Sequence, residues 1–317
     1  MKIALMDRFG EWFTEDEDFM FYARGFLDRG NEVVQMDPYT IDFKTGKGMT
    51  KIVLPADRPL EIEREETAVE HPLEDFDAIL DVSDIVDREF SRNMTRIDTL
   101  HFNPQLATHD SANKGTYVHR YPDFIPDTIM SNDPEVIEAA LHGRFNGKMV
   151  VKDPFGSCGK SMALLAADDP EYHQTLEEMT QGSKRTLMAQ KFIHFAQEGG
   201  KRVIVLGNIG DPSSYRVTFA YHKKPKEGEW QDNLAKGATA TIVDLRPDED
   251  RLCREVAARS DLYGVGLDIM DDQNAEGERI PVLVETNSVV ATGGLYPEAI
   301  KDVTNFILDE LLADNRR

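Results

Sequence analysis

Short apolar runs separated by amphipathic stretches open the chain. Lys2–Met6 is an apolar pentapeptide followed by an aspartate, a pattern typical of a buried strand. Apolar residues then recur at helical spacing as far as Gly30, and Thr14 with Glu17 has the spacing of a capping box at the helix start. Glu32–Met36 has the pattern of a second strand. This strand–helix–strand order predicts a parallel α/β lobe.

The hydrophobic pattern changes twice further along the chain. Residues 43–76 are polar and charged with little periodicity, which predicts an irregular excursion before a strand at Ala78–Val82. The proline-bearing stretch 122–126 indicates passage into another lobe. Beyond it we expect a helix at 134–142, strands at 148–152, 161–165, 187–192, 202–206 and 216–221, a helix at 251–259, strands at 265–270 and 281–285, and a closing helix at 297–313. The sequence thus predicts mixed α/β and α+β structure in three lobes.

Composition narrows the class of function. Of 317 residues, 40% are hydrophobic, which is enough to bury an interior and argues against disorder. Thirty-six Lys and Arg against 58 Asp and Glu give a formal charge of −22. Such an acidic surface repels nucleic acid and anionic lipid, so we expect neither as a partner. The surplus of acid is also compatible with a host of high internal salt.

The chain offers no element for membrane insertion or disulfide stabilisation. No run of about eighteen apolar residues is present, and the first residues turn acidic before a secretory core can form. Two cysteines, Cys158 and Cys253, cannot build a disulfide framework. We therefore expect a cytoplasmic protein.

A glycine-bearing loop is the first candidate for chemistry. Residues 156–161 read Gly-Ser-Cys-Gly-Lys-Ser, and the last three imitate a phosphate-binding P-loop. The full pattern requires glycine where Pro154 stands, and an apolar strand rather than a helix follows the loop. A P-loop is thus excluded. A flexible hairpin whose amides fold over a triphosphate and an ordinary tight turn both fit the loop.

Two apolar runs near the C-terminus carry oxygen ligands. Asp268 lies in the strand 265–270, and Glu285 and Asn287 lie two residues apart at the end of the next strand. As antiparallel neighbours, these strands would bring the three side chains together, because residues two apart on a strand share a face. Three hard oxygen ligands that leave positions for phosphate and water are typical of Mg²⁺ sites. Alternatively, the two carboxylates cap turns at the strand ends.

The basic residues and the remaining polar residues give weaker evidence for a function than the two motifs above. Several basic residues could form a local positive funnel for an anionic ligand, although such residues are commonly solvated, and Lys152 stands out because it ends an apolar strand beside the glycine loop. The eight histidines lack metal-ligand spacing, and no Gly-x-Ser-x-Gly nucleophile motif is present. The basic residues concerned are Lys114, Lys152, Lys160, Lys201, Arg202, Lys223 and Lys224.

The collinear order of these motifs resembles the ATP-grasp superfamily, and within it the bacterial glutathione synthetases. The resemblance implies an ATP-grasp fold with an N-terminal parallel α/β (pre-ATP-grasp) domain at 1–121. It places the ATP-grasp domain at 122–317, divided into a lid-bearing subdomain at 122–190 and a metal- and substrate-binding subdomain at 191–317. In chain order, the motifs are Lys114, Lys152 with the glycine loop, Met188-Ala189-Gln190, Lys201-Arg202-Val203, Asn233-Leu234-Ala235, Gly266-Leu267-Asp268-Ile269 and Glu285-Thr286-Asn287.

The resemblance also implies roles for individual residues. Asp268, Glu285 and Asn287 match Mg²⁺ ligands that bridge the phosphates. Arg202 matches an arginine that binds the acyl substrate and its phosphorylated form, and Asn233 matches an asparagine beside it. Asn103, Lys223 and Gln231 fall on the substrate side. The ATP contacts implied are Lys114, Lys152, Gly156, Ser157, Gly159, Ser161, Gln190, Lys191, Phe192, Ile193 and Glu198.

Departures from the family pattern fall largely on the substrate side. Two family arginines are replaced by Lys223 and Gln231, which removes the planar fork that holds a carboxylate. The family sequence Thr-Arg-Gly-Asn corresponds here to Trp-Gln-Asp-Asn at 230–233, so Asp232 takes the place of a glycine. An acidic residue often used on the ribose is replaced by Gly200, with Glu198 as the nearest substitute.

By this resemblance, the expected activity is ATP-dependent carboxylate–amine ligation through an acyl phosphate, with Mg²⁺ as the metal and Mn²⁺ able to replace it. Glutathione synthesis from γ-glutamylcysteine and glycine is the leading prediction. A related ligase joining another acid and amine, or a non-catalytic ATP-binding protein of this fold, stays open. The family further implies small-molecule substrates and a homo-oligomer, either a dimer or a tetramer.

Overall fold

The fold is described from a computed structural model of the chain. It describes residues 1–7, 18–54, 61–62, 67–83, 87–156, 161–292 and 295–314. The capping box at Thr14 and Glu17, and Ser157 and Gly159 of the glycine loop, lie outside the described residues.

A largely parallel sheet forms the N-terminal lobe. Its strand order is β4-β3-β2-β1-β6-β7, with β5 paired to β3. Strands β2, β1, β6 and β7 are parallel, and both faces of β1 are buried, which explains why β1 reads as a nearly continuous apolar run. The predicted strands at β1, β2 and β6 are confirmed. The elements are β1 (Lys2–Met6), α1 (Asp18–Leu27), β2 (Glu32–Met36), β3 (Lys47–Leu54), β4 (Glu61–Ile62), β5 (Val69–Pro72), β6 (Ala78–Asp81), α2 (Arg88–Met94), β7 (Leu100–Phe102), α3 (Gln105–Ala112) and α4 (Tyr117–Arg120).

The expectation of an irregular excursion over 43–76 was wrong. Strand β3 pairs antiparallel with β2, and β5 pairs antiparallel with β3, so this stretch extends the sheet at its edge. Ile52 and Val69 remain largely exposed there, whereas Thr50 and Lys51 are buried. An edge of this kind buries polar and apolar side chains without regular alternation, and for that reason the pattern gave no strand signal.

The second sheet has four antiparallel strands in the order β10-β9-β11-β8. Two helices cover it, and their apolar residues join those of the strands in a separate core. Asp133 caps the first of these helices through the Glu135 amide, with Pro134 at the first helical position. The elements are β8 (Thr128–Ser131), α5 (Pro134–Gly143), β9 (Lys148–Lys152), β10 (Met162–Ala166), α6 (Tyr172–Thr180) and β11 (Leu187–Lys191).

The third sheet is also antiparallel, with the strand order β14-β13-β12-β15-β16, and it completes the fold. One face of its central strand β12 packs Val203 and Val205 against α7, and the other packs Ile204 and Leu206 against α1 and α8. The predicted closing helix is present, although its middle is a π-helical segment at Ile307–Leu311. The elements are β12 (Gly200–Leu206), β13 (Arg216–Lys224), β14 (Thr239–Ile242), α7 (Pro247–Ala258), β15 (Gly264–Gln273), β16 (Arg279–Asn287), α8 (Pro297–Phe306) and α9 (Leu312–Asp314).

The C-terminal helix ties the third sheet to the first lobe. Residues Val303 and Phe306 of α8 share one hydrophobic core with Phe26 of α1 and with Ile204 and Leu206 of β12. The predicted boundaries at 121/122 and 190/191 fall close to the changes of sheet, but the limits themselves stay a prediction.

Candidate active site

A cavity of about 1000 Å³ lies where the three sheets meet. The first lobe contributes the carboxyl ends of its parallel strands, with Asp7 and Ser83. The second sheet contributes Lys152 and Gln190, and the third contributes the side chains of its cavity-facing surface. Among the residues implied by the resemblance, those that line the cavity are Lys114, Lys152, Gly156, Gln190, Lys191, Phe192, Ile193, Arg202, Lys223, Gln231, Asn233, Asp268, Glu285 and Asn287.

Strands β15 and β16 bring the three proposed metal ligands onto one face. They pair antiparallel, with Asp268 directly opposite Glu285 and Gly266 opposite Asn287. Opposed residues on an antiparallel pair have Cβ atoms about 5 Å apart. The antiparallel pairing on which the candidate metal site depends is therefore present.

A break in register orients Glu285. Asp268 pairs with Glu285, but the next residue of β15, Ile269, pairs with Leu283, so Val284 is an extra residue in β16. On a regular strand, Leu283 and Glu285 would point to the same face. With the extra residue between them, Leu283 joins the core beneath α7, whereas Glu285 lines the cavity.

The Asp268 carboxylate is the centre of the charges in the cavity. Arg202 forms a bidentate ion pair with it, in which Nε lies 2.9 Å from Oδ1 and Nη2 lies 3.0 Å from Oδ2. Lys223 Nζ lies 2.9 Å from Oδ1. Burial alone would raise the pKa of Asp268, but the two cations more than offset it and hold the pKa well below its usual range. Asp268 is consequently ionised throughout the neutral range.

The donor set around Asp268 still fits a hard cation. Asp268 Oδ2 accepts a single hydrogen bond from Arg202, and the second oxygen of Glu285 has no hydrogen bond within the described part of the chain. The Asn287 Nδ2 group donates to the Gly266 carbonyl at 3.3 Å, which leaves its Oδ1 for another partner. Carboxylate and amide oxygens with spare capacity are the ligands that Mg²⁺ prefers. Within the same described ranges, no group of three His, Cys, Asp or Glu forms a metal cluster by itself.

Two buried lysines lie beside this carboxylate pair. Lys114 Nζ is 2.8 Å from Glu285 Oε1 and donates to the Gly156 carbonyl at 2.7 Å, which links the glycine hairpin to β16. Lys152 is 5% exposed and forms no ion pair within the described residues. Burial lowers the pKa of Lys152 to about 8, with Glu285 opposing the shift and Lys114 adding to it.

The glycine hairpin begins at Asp153, whose N–H donates to the Ser161 carbonyl at 3.0 Å. Strand β10 follows it directly, as expected for a hairpin and not for a P-loop. A Cβ atom on Gly156 would lie 2.9 Å from Ser161 Cβ, so this close approach requires glycine. Ser161 itself is not among the residues that line the cavity.

Residues 190–193 lead from the second sheet to the third along one wall of the cavity. Gln190 donates to Thr128 Oγ1 at 2.9 Å, and Lys191 Nζ lies 3.2 Å from Asp272 Oδ2. The same carboxylate accepts the His194 N–H at 2.8 Å, which fixes the segment to β15. The Ile193 N–H donates no hydrogen bond within the described residues. The side chains of Gln190 and Lys191 are thus anchored within the protein, and the Ile193 N–H is left as a hydrogen-bond donor for a ligand.

Glu198 does not line this cavity, contrary to the expectation that it contacts ATP. Its carboxylate lies 2.5 Å from Arg279 Nη2 and borders a second cavity of about 580 Å³, beyond β12 and β15. Arg279 also pairs with Asp271 and lies over the Phe195 ring. An ion pair on the far side of the sheet therefore holds Glu198 away from the first cavity.

Asn103 is also absent from the cavity wall, contrary to its expected place on the substrate side. It is 2% exposed, and its Nδ2 donates to the Gly264 carbonyl at 2.6 Å and the Ser288 carbonyl at 2.7 Å. Its Oδ1 accepts the Gly264 N–H at 2.9 Å. All three contacts join the first lobe to the third sheet, so Asn103 is a structural bridge.

Replacing Asn103 by Ala should destabilise the protein by about 3 kcal/mol, because it leaves one amide and two carbonyls buried without partners. Urea unfolding followed by circular dichroism measures this loss. Asn132→Ala is the matched control, since its single hydrogen bond to Ser183 is exposed and its loss should change stability by less than about 1 kcal/mol. Equal midpoints for Asn103→Ala and the unmodified protein would contradict the bridging role.

Sequence reasoning missed other polar residues that line the cavity. Asp232 lies 3.5 Å from Lys223 Nζ, and burial raises its pKa, with Lys223 opposing the shift and Asp268 adding to it. Asp18, at the start of α1, accepts from the Thr292 N–H at 3.0 Å and so joins the first lobe to the loop after β16. The substitution of a family glycine by Asp232 was the available signal, whereas the contact of Asp18 depends on chain segments 274 residues apart.

The arrangement of sheets around a cavity with two lysines and opposed strand carboxylates defines the ATP-grasp class of proteins. The chain belongs to the family described as "Prokaryotic glutathione synthetase, ATP-grasp domain", whose model matches residues 114–286, more than half of the chain. Within the described ranges, no helix is both long enough and apolar enough to cross a membrane.

Similar proteins are found both in sequence and in structure. Glutathione synthetase of Shewanella oneidensis is 30% identical over 168 residues, covering 52% of this chain and 51% of the relative. A protein named probable alpha-L-glutamate ligase 1, from Shewanella denitrificans, is 29% identical over 185 residues, 58% of each chain. The chain spans about half the length of the curated relatives it matches.

A solved structure shares the fold over nearly the whole chain. The ATP-grasp ligase PsnB, complexed with a phosphomimetic variant of its minimal precursor, Mg and ADP, superposes with a TM-score of 0.62. The superposition covers 98% of this chain and 97% of that chain at 18% sequence identity. The two proteins therefore share the ATP-grasp architecture.

Proposed function

We propose that the protein is an ATP-dependent ligase that joins a carboxylate to an amine through an acyl phosphate. The observation that carries the proposal is the convergence, in one cavity, of Lys114 and Lys152 with the opposed Asp268 and Glu285 and with the buried Arg202. Membership of the glutathione synthetase ATP-grasp family supports it.

ATP would lie along the cavity with its adenine against residues 190–193. The unused Ile193 N–H is a donor for the purine, and the Phe192 ring is a flat apolar surface held by Lys148 at 4.1 Å. The phosphates would lie beside Lys114 and Lys152, close to Gly156, whose carbonyl accepts from Lys114. Lys152 forms no ion pair within the part of the chain that the structure describes, so a phosphate that enters beside it would compensate its buried charge and bind favourably.

Asp268, Glu285 and Asn287 are the residues that would hold Mg²⁺, and Mn²⁺ takes the same oxygen ligands. When bound, the metal neutralises charge that develops on the phosphates during transfer. The protein's own part is to keep both carboxylates ionised and oriented. Arg202 and Lys223 do this for Asp268, and Lys114 does it for Glu285.

In the first chemical step, the substrate carboxylate attacks the γ-phosphorus and forms an acyl phosphate and ADP. In the second step, the amine attacks the acyl carbon, the bond to phosphate breaks, and an amide forms. Arg202 stabilises the negative charge that develops on the acyl oxygen, because its guanidinium is already fixed at the cavity wall by Asp268 and needs no reorganisation. Asn233, also on the wall, assists at the same position.

For the substrates we propose γ-glutamylcysteine and glycine, in keeping with the family. A second candidate is ligation of another acid and amine. The observation that favours it is that two polar side chains expected on the substrate side already have partners within the protein. Lys223 is held by Asp268, and the Gln231 oxygen accepts a hydrogen bond from Lys236 at 2.6 Å. We also propose a cytoplasmic dimer or tetramer that acts on small molecules, and these properties stay predictions.

Purified protein should release ADP over many turnovers only when Mg²⁺, an acid and an amine are all present, because the acyl phosphate formed in the first step must be consumed by the amine before the next cycle. The assay pairs γ-glutamylcysteine with glycine and compares a panel of other acids and amino acids, with products identified by mass spectrometry. Glutathione formation supports the first candidate, and another amide supports the second. Steady-state ADP release that is equally fast without an amine and yields no amide would contradict ligation.

The affinity for ADP should decrease about tenfold between pH 7 and pH 9 if Lys152 binds phosphate as an ammonium. Its pKa is about 8 in the free protein, and phosphate would raise it, so binding takes up a proton in this range and weakens as the pH rises. Calorimetric titrations at several pH values measure the effect. Lys152→Met should bind more weakly and lose this pH dependence. A flat profile for the unmodified protein would contradict the assignment.

A further inference from the structure

The stretch of cavity wall between the two ends of the nucleotide site has no assigned role. ATP is built in the order base, ribose, phosphates. If residues 190–193 meet the adenine, and Lys152, Asp268 and Glu285 lie at the phosphates, the wall between them faces the ribose. The following inference rests on the proposed function, because it assumes this orientation of ATP.

The loop between β13 and β14 forms that part of the wall. At one end, the Trp230 ring packs edge-on against Phe192 with centroids 5.8 Å apart, next to the adenine segment. At the other end, Lys223 Nζ lies 2.9 Å from Asp268 Oδ1. Asp232 comes two residues after Trp230 and its Oδ2 is 3.5 Å from the same Lys223 Nζ. Asp232 therefore lies between the adenine and phosphate ends.

Gly200 makes room for this carboxylate. A Cβ atom on Gly200 would lie 2.8 Å from Asp232 Oδ2, closer than real Cβ atoms come to a neighbour. Strand β12 thus carries no side chain at the position where the Asp232 carboxylate rests. Glu198, the other carboxylate near this strand, is held by Arg279 beside the second cavity and is not available here.

We propose that Asp232 is the ribose-binding residue, whose carboxylate accepts hydrogen bonds from the 2′- and 3′-hydroxyl groups of ATP. An ionised carboxylate has about four acceptor positions, and the ion pair to Lys223, through Oδ2 at 3.5 Å, takes up one of them. Carboxylates are the usual acceptors for ribose hydroxyls in nucleotide sites. In this position, Asp232 distinguishes ribonucleotides from deoxyribonucleotides.

The test compares calorimetric binding of ADP, 2′-deoxy-ADP and 3′-deoxy-ADP. The unmodified protein should bind each deoxynucleotide about tenfold or more weakly than ADP, as expected for loss of a hydrogen bond to a charged group. Asp232→Asn should weaken ADP binding and reduce the preference to about threefold or less, because a neutral amide is a weaker acceptor. Asp232→Ala should remove the preference, and circular dichroism verifies that each variant is folded.

Glu198→Gln is the matched control, with the same carboxylate-to-amide change on the other side of β12, and it should keep the preference for ADP. The proposal is overturned if Glu198→Gln loses the preference while Asp232→Asn keeps it, or if the unmodified protein binds all three nucleotides equally. If Asp232→Asn acted only by disturbing Lys223, it would weaken the binding of all three nucleotides equally and leave the preference for ADP unchanged. That result would also overturn the proposal. Absence of any ADP binding would refute both this inference and the proposed function.

Discussion

Glu285→Gln is expected to lower kcat for ligation by about a thousandfold or more while the fold stays intact. Glu285 has one oxygen 2.8 Å from Lys114 Nζ and the other directed to the same cavity as Asp268. The amide has nearly the same shape but lacks the charge that both the lysine and a divalent cation require. The loss should appear in kcat more than in the KM for the acid or the amine, because the carboxylate acts on the phosphates.

Mg²⁺-dependent ADP release measures this effect, and thermal unfolding shows whether the variant is folded. Glu278→Gln is a suitable control because Glu278 lies in the exposed turn of the same β15–β16 hairpin, where it contacts Asn274. This control should retain normal turnover. Near-normal turnover by Glu285→Gln would refute the assignment of Glu285 as a metal ligand.

Arg202→Lys should lower kcat by about a hundredfold or more, although the charge is kept. Arg202 holds both oxygens of Asp268 with a planar fork and donates to the Ala291 carbonyl at 3.4 Å. A lysine ammonium is a point charge that cannot reproduce the two parallel hydrogen bonds of the planar fork, so both the orientation of Asp268 and the donor for the acyl oxygen are lost. A thousandfold effect is expected for Arg202→Met, which also removes the charge.

The neighbouring Lys201 provides the control for Arg202. It lies on the opposite face of β12 and pairs with the buried Glu249 of α7 at 2.5 Å. Lys201→Arg exchanges one cation for another outside the cavity and should leave kcat within about twofold of normal, in line with the small effects of changes away from a reacting centre. If Arg202→Lys retains full activity, the acyl oxygen is stabilised by another group.

Much of the fold could be predicted because its signals are local. Strands β9, β10, β12 and β15 are apolar runs, and each predicted strand overlaps the observed one. The antiparallel pairing of β15 with β16 follows from their proximity in the chain. By contrast, β3 and β5 pair at a sheet edge where burial does not alternate regularly, and no local signal distinguishes them from a loop.

Most of the residues predicted for the site line one cavity, and the predicted residues that lie elsewhere do so for a common physical reason. Residues on regular strands, such as Arg202, face the cavity because their neighbours in sequence fix the face. Asn103 and Glu198 are directed elsewhere by partners far away in the chain, Gly264 and Arg279. The extra residue at Val284, which separates the faces of Leu283 and Glu285, is equally invisible in a period-two pattern.

The shared core of α1, β12 and α8 bears on how the molecule can move. The first and third sheets are joined by one hydrophobic interior, whereas the second sheet has a core of its own. Separating the first from the third sheet would expose buried apolar surface, which is costly. Two apolar residues of the second sheet, Met188 and Met130, pack with the core of the third sheet, and polar contacts add to them, such as Lys191 to Asp272 and Lys114 to Gly156. We therefore expect the first and third sheets to move together, and the second sheet to change its position relative to them when substrates enter and products leave.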